Sequence, residues 1–190
     1  MIQELEIRLS GSGGQGLVLG ARILARALVL EGFWVAQSQS FEPTARGGLS
    51  RSDLVASQVA VDYPLVTALD YVVVMHQIAV PVSRGLIKPG GLVLVDSGHV
   101  TDPPRGNFTV HSWPFTDTAR RLGSLRTANI VALGSLVQAG GLCSASSLET
   151  AVREIMPERF LGVSLAGVTA GLRLAAETPV TPSVIPSFTP

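Results

Sequence analysis

Gly11-Ser12-Gly13-Gly14-Gln15-Gly16 stands between two segments of different periodicity. Before it, Leu5, Ile7 and Leu9 alternate as in a strand; after it, Leu17 to Leu30 carries apolar residues at helical spacing. The order is strand, tight glycine turn, helix. A helix that begins on such a turn aims unpaired N–H groups and the positive end of its dipole at the occupant of the turn. That occupant is expected to be an anion, a phosphate or pyrophosphate by preference. Glycines admit it because no Cβ blocks the main chain and positive φ is allowed. The competing reading is a turn that only packs a helix onto a sheet.

Downstream segments repeat the alternation. Glu4–Ser10 is the first strand and Gln15–Glu31 the first helix, ended by Gly32. Phe33–Ser38 reads as a strand, Gln39–Ser50 as a polar loop, and Arg51–Ser57 as a third strand. Asp70–Met75 and Leu92–Asp96 are continuous apolar strands of the kind buried inside a parallel sheet. Gln77–Ile87 is an ambiguous helix, because Pro81 must sit in its first turn or break it. Phe108–Ser112 is a short strand. Helices are predicted over Thr116–Leu122, Thr127–Ala139, Ser147–Met156 and Pro157–Glu177. The pattern predicts an α/β fold, Rossmann-like, with a mostly parallel sheet flanked by helices in a single domain, residues 1–177. Residues 178–190 carry four prolines and no periodicity, and are expected to form an extended arm. Ligands on such sheets bind at the carboxyl ends of the strands. That places the glycine turn, the Gln39–Ser50 loop and the Asp96-Ser97-Gly98 turn on one edge.

Composition narrows the class. The 190 residues hold 14 basic and 14 acidic side chains, so nothing attracts nucleic acid or an anionic membrane surface. No run of 18 apolar residues occurs, so no membrane span is expected. No signal-peptide pattern opens the chain, and a cytoplasmic location is expected. A hydrophobic content of 46% against 15% charged implies that another subunit covers some apolar surface, or that the sheet is buried on both faces. One cysteine, Cys143, excludes an internal disulfide, and His76, His99 and His111 have no metal-ligand spacing. No metal site is expected.

Familiar chemistries fail on specific residues. A phosphate loop of the NTPase type needs Lys and Ser/Thr after the last glycine, where Leu17 and Val18 stand. A dinucleotide site wants an acid at the end of the second strand, which reads Val35-Ala36-Gln37-Ser38; this disfavours NAD. Neither a nucleophile elbow nor a zinc helix is present. No self-contained catalytic constellation is found, so the chain either only binds or has its chemistry completed by a partner. The loop Phe41–Ser50 sets Arg46 beside Gly47 and Gly48, a combination of guanidinium and open backbone suited to phosphate or carboxylate. Equally, Arg46 could cover a helix end or pair with Glu42.

Together these segments carry a resemblance. Gly-x-Gly-Gly-Gln-Gly after the first strand, then Glu42-x-x-x-Arg46-Gly47-Gly48-x-Ser50 and a short strand, resembles the gamma subunit of 2-oxoacid:ferredoxin oxidoreductases. The similarity continues through Asp70–Met75, the Lys88-Pro89-Gly90-Gly91-Leu92 turn, and Asn129 followed by Leu133-Gly134. It spans about Leu5 to Leu174; the proline-rich tail falls outside it, and the acid before the Arg is displaced to Glu42. The resemblance implies a complex that decarboxylates a 2-oxoacid on thiamine diphosphate with Mg, passes electrons through iron–sulfur clusters to ferredoxin, and leaves the acyl group on coenzyme A. Thiamine and cluster motifs belong to partner subunits of alpha, beta and delta type, and this chain has neither a Gly-Asp-Gly…Asn signature nor a cysteine run. A purely structural interaction subunit is the alternative. Isolated, the chain is expected to homodimerise through the same apolar surface. The candidate coenzyme A site has Gly13, Gly14, Gln15 and Gly16 as floor, Arg46, Gly47, Gly48 and Ser50 as rim, and Asn129 from the first turn of a helix. No residue is assigned a catalytic role.

Overall fold

The structure is a computed structural model that describes residues 4–42, 47–61 and 63–177. Arg46 and the arm from Thr178 lie outside the described residues. The strands are β1 (Glu4–Ser12), β2 (Trp34–Phe41), β3 (Leu49–Ser57), β4 (Leu69–Val74), β5 (Ile87–Asp96) and β6 (Thr109–Trp113). The helices are α1 (Leu17–Leu30), α2 (Phe115–Arg121), α3 (Ala128–Gly140), α4 (Ala145–Ile155) and α5 (Glu158–Glu177). The strands form one sheet in the order β2-β3-β1-β4-β5-β6. The pairs β1–β4, β4–β5 and β5–β6 are parallel. β3 runs against both β1 and β2, closing a hairpin with β2. The mostly parallel α/β sheet is thus present, with one reversed strand inserted beside β1.

Alternation along the strands divides the molecule into two unequal layers. Leu5, Ile7 and Leu9 of β1, Leu54 and Ala56 of β3, Tyr71 and Val73 of β4, and Leu92 and Leu94 of β5 point to one face. All five described α-helices contribute to the core on that side; α1 and α3 pack on the strands, and α4 and α5 pack on those helices. The opposite face carries Val72, Val74, Val93 and Val95, covered by Ala79, Val80 and Val100. The cover there is two short 3-10 turns, Gln77–Ala79 and Arg84–Leu86, in place of one continuous helix. Pro81 lies between them and cannot donate the hydrogen bond that a continuous helix would need.

Where the second face meets β1 and β3 it turns polar. Arg8 and Asp53 face each other across the strands, Nε to Oδ1 at 2.7 Å and Nη2 to Oδ2 at 2.8 Å, both side chains almost fully buried. The remaining Nη1 donates to the Val82 carbonyl at 3.0 Å. The Glu6 carboxylate accepts the N–H groups of Thr67 and Ala68, which anchors the approach to β4.

Two contacts fix the helices on their face. Ser144, three residues before the expected Ser147, caps α4 by accepting the Ser147 N–H at 3.1 Å. Its own N–H goes to the Glu31 carboxylate at 2.8 Å, which ties the end of α1 to the start of α4 and holds the Glu31 carboxyl below the usual glutamate range. α3 and α5 meet backbone to backbone. A Cβ on Gly134 would stand 2.5 Å from the Val168 carbonyl, and one on Gly171 would run into the Val131 carbonyl. By length and composition α5 is apolar enough to cross a membrane, but Ser164, Gly167, Val168, Gly171 and Ala175 are buried in the molecule along this seam.

Candidate functional site

The carboxyl ends of β1, β4 and β5 open onto one edge, where the glycine turn lies. Gly14 and Gly16 both hold left-handed backbone, φ +98° and +71°, conformations that other residues resist. Gly16 caps α1, and its carbonyl accepts the first helical bond, from the Gly20 N–H at 2.9 Å. Among the described residues the N–H groups of Leu17, Val18 and Leu19 have no acceptor, as the first turn of a helix without a side-chain cap requires. These donors and the helix dipole are what the turn offers an anion.

Several other polar groups of the motif are engaged within the chain. Gln15 folds back: its Oε1 accepts the Ser12 N–H at 2.7 Å, and its Nε2 donates to the Met75 carbonyl at 2.9 Å. The side chain therefore joins the end of β1 to the residue after β4. Asn129, 4% exposed, donates from Nδ2 to the Gly16 carbonyl at 2.8 Å, and its Oδ1 accepts the Ile130 N–H at 2.9 Å. It fastens the first turn of α3 to the cap of α1. The Gly13 N–H goes to the Gly48 carbonyl at 2.8 Å. That bond brings the hairpin loop to the glycine turn, with Gly47 at φ +79° beside it. Ser50 sits in β3, opposite Gly11 and Phe41. The structure thus gathers Gly13–Gly16, Gly47, Gly48 and Asn129 at one edge, while Ser50 lies in the sheet behind it.

Next to the turn is a cleft of about 390 Å³ whose walls include Gly14, Gln15, Gly16, Met75, His99, Thr116, Leu125 and Arg126. Arg126 is exposed and, among the described residues, forms no ion pair. Nothing in the sequence marks it, since Ser124-Leu125-Arg126-Thr127 matches no motif. His99 and Thr116 are equally unmarked. Asp96, fully buried at the end of β5, accepts the Thr116 N–H and the Gly98 N–H at 3.3 Å each, and also the Thr116 hydroxyl. It thereby sets the far wall of the cleft. The His99 ring meets His76 edge to face at 5.9 Å. Cys143 takes no part: burial pushes its thiol up to about 12, which leaves no thiolate for chemistry near neutral pH. The cleft therefore offers main-chain donors, a cation without an ion pair among the described residues, and small polar groups, a set suited to an anion.

Comparison with known proteins shows the family. Residues 6–174 match the family described as pyruvate ferredoxin/flavodoxin oxidoreductase, and the chain belongs to that family. Its near-full-length relatives are gamma-type subunits of 2-oxoacid:ferredoxin oxidoreductases. One is the 2-oxoglutarate synthase subunit KorC of Methanocaldococcus jannaschii, 39% identical over 176 residues, 90% of this chain and 94% of that one. Another is the gamma subunit of a keto/oxoacid ferredoxin oxidoreductase from Geobacter sulfurreducens, with a TM-score of 0.84 at 37% identity, covering 92% of this chain and 98% of that chain. The fold also recurs in a 2-oxoglutarate:ferredoxin oxidoreductase from Magnetococcus marinus, solved with 2-oxoglutarate, coenzyme A and succinyl-CoA bound. There the TM-score is 0.82 at 23% identity, covering 93% of this chain and 32% of the longer one.

Proposed function

We propose that the chain serves, in the cytoplasm, as the gamma-type subunit of a thiamine-diphosphate-dependent 2-oxoacid:ferredoxin oxidoreductase, where it binds the phosphates of coenzyme A and joins alpha, beta and delta-type subunits. The observation that carries this reading is the cleft, in which the open N-terminus of α1 and Arg126, without an ion pair among the described residues, face one space. Coenzyme A brings a pyrophosphate and a 3′-phosphate, the charge such a set of donors selects. A relative of the same fold was solved with coenzyme A and succinyl-CoA. Thiamine diphosphate, Mg and the iron–sulfur clusters belong to the partners in this reading, and ferredoxin meets the complex through them. In the complex this chain's residues bind and orient; none of them moves a proton or an electron.

A second reading has its own observation. The amides of Gln15 and Asn129 and the N–H of Gly13 are all bonded inside the chain, as a purely structural subunit would have them. Kinetics of the complex reconstituted with its co-expressed partners separates the two. Under the first reading Gly14→Val raises the Michaelis constant for coenzyme A about tenfold or more and leaves that for the 2-oxoacid unchanged. A variant that only loosens assembly, with the coenzyme A constant unmoved, supports the second. The isolated chain, given thiamine diphosphate, Mg²⁺ and a viologen acceptor, should oxidise neither pyruvate nor 2-oxoglutarate under either reading.

A further inference from the structure

The cleft beside the glycine turn continues into a second space. Leu19, Arg126 and Asn129 are shared with a cavity of about 210 Å³ between α1, the start of α3 and the first turns of α5. The two compartments differ in chemistry. The first is walled by glycine main chain and Arg126. The second has Ile130, Met156, Phe160 and Val163 as apolar walls, with the hydroxyl-bearing Ser124, Thr127 and Ser164 among its lining.

We propose that Arg126 clamps the anionic group of a nucleotide ligand at the junction of the two spaces, and that the apolar annex receives the ligand's flat base. The proposal rests on the coenzyme A reading and deepens it, for it fixes which end of the molecule lies where. Arg126 lines both compartments and carries no carboxylate partner among the described residues, so its guanidinium is available to phosphate. An aromatic ring, a thioether and branched aliphatic carbons suit a flat π-system, and hydroxyls meet the donors and acceptors at a heterocycle's edge in either sense. Direction decides the rest. The chain holds no thiamine signature, so the thiol end of coenzyme A has to leave it to reach the acyl group on a partner. The annex is walled by three helices of this chain, and only the adenosine end can remain there through turnover.

The test is calorimetric titration of the full chain with four probes: coenzyme A, adenosine 3′,5′-bisphosphate, inorganic pyrophosphate and pantetheine. The bisphosphate is expected to bind nearly as well as coenzyme A, pyrophosphate more weakly, and pantetheine not at all. Arg126→Gln should weaken all three phosphate-bearing probes about tenfold or more. Val163→Trp, which fills the annex, should weaken coenzyme A and the bisphosphate while leaving pyrophosphate unchanged. Phe160→Ala removes one wall without adding bulk and should do the same, which decides the matter if Val163→Trp fails to fold by circular dichroism. Folded annex variants that bind the bisphosphate as wild type does overturn the placement of the base. Unaltered binding by Arg126→Gln overturns the clamp. A wild-type chain that binds none of the four probes overturns the coenzyme A reading itself, and pantetheine binding without the bisphosphate reverses the orientation.

Discussion

Two glycines of the same turn answer to different neighbours. A Cβ on Gly16 would stand 2.7 Å from Asn129 Nδ2, whereas one on Gly14 meets nothing within 4 Å. Both carry positive φ. Gly16→Ala is therefore expected to cost the backbone strain plus the Asn129 bond, roughly 2–4 kcal/mol, read as a lowered unfolding midpoint. Gly14→Ala should cost only the strain, about 1–2 kcal/mol. Adding Asn129→Ala to Gly16→Ala should cost less than the two changes summed, because the pair is in contact; strict additivity in denaturant titrations would show that Asn129 does not carry the difference. The sequence made the glycines and Asn129 legible as neighbours of one edge, since each sits where a strand ends or a helix begins. It did not reveal that Gln15 spends its amide on Ser12 and on Met75, 60 positions away. Local spacing carries no record of such a partner. Arg126 escaped for the opposite reason: its sequence surroundings are ordinary, and only the fold brings it to the cleft beside the glycine turn.

The elements themselves were readable wherever burial imposes a period. Alternation at Leu5, Ile7 and Leu9, and the unbroken apolar runs at Asp70–Met75 and Leu92–Asp96, follow from having one or two packed faces. The direction of β3 was not readable, because Leu54 and Ala56 bury the same face whether the strand runs up or down. The 3-10 turns around Pro81 were ambiguous because a proline is compatible with a first turn and with a break. The reversed strand brings a charge pair into the interior, and it is the part of the sheet most open to test. Asp53→Ala leaves the Arg8 guanidinium buried with only the Val82 carbonyl for a partner. A loss of about 3–5 kcal/mol is expected. Replacing both members, Arg8→Leu with Asp53→Leu, should recover most of it, and thermal melts of the single and double variants make the comparison. A double variant as unstable as the single would mean that the pair is needed for more than its own neutrality.

At the scale of the whole molecule the two faces of the sheet are unequal. The five described helices all lie on the side of one; near β2 and the start of β1 the other leaves Trp34 59%, Tyr63 67% and Leu65 53% exposed. A groove with Glu4, Glu6, Val59 and Tyr63 among its walls lies in the same region. Apolar exposure gathered in one place marks a contact surface. The chain holds two tryptophans, and Trp113 is 4% exposed, so the quencher-accessible part of the chain's fluorescence reports on Trp34. Acrylamide should quench Trp34 in the isolated chain and quench it much less after assembly with partner subunits. Trp34→Phe should remove the sensitive component. An unchanged quenchable fraction in the complex would put the partners elsewhere. The glycine seam between α3 and α5 has a mechanical consequence as well. With no side chain between the two backbones, Gly134 and Gly171 form a hard fulcrum, and α5 is the beam that rests on it. Phe160 lies roughly 16 Å along that beam by helical rise. A tilt of about 10° at the fulcrum would then sweep its ring through about 3 Å, close to the thickness of an aromatic base. In the proposed binding mode the fit of the annex is set at a point remote from the ligand, where the two backbones meet.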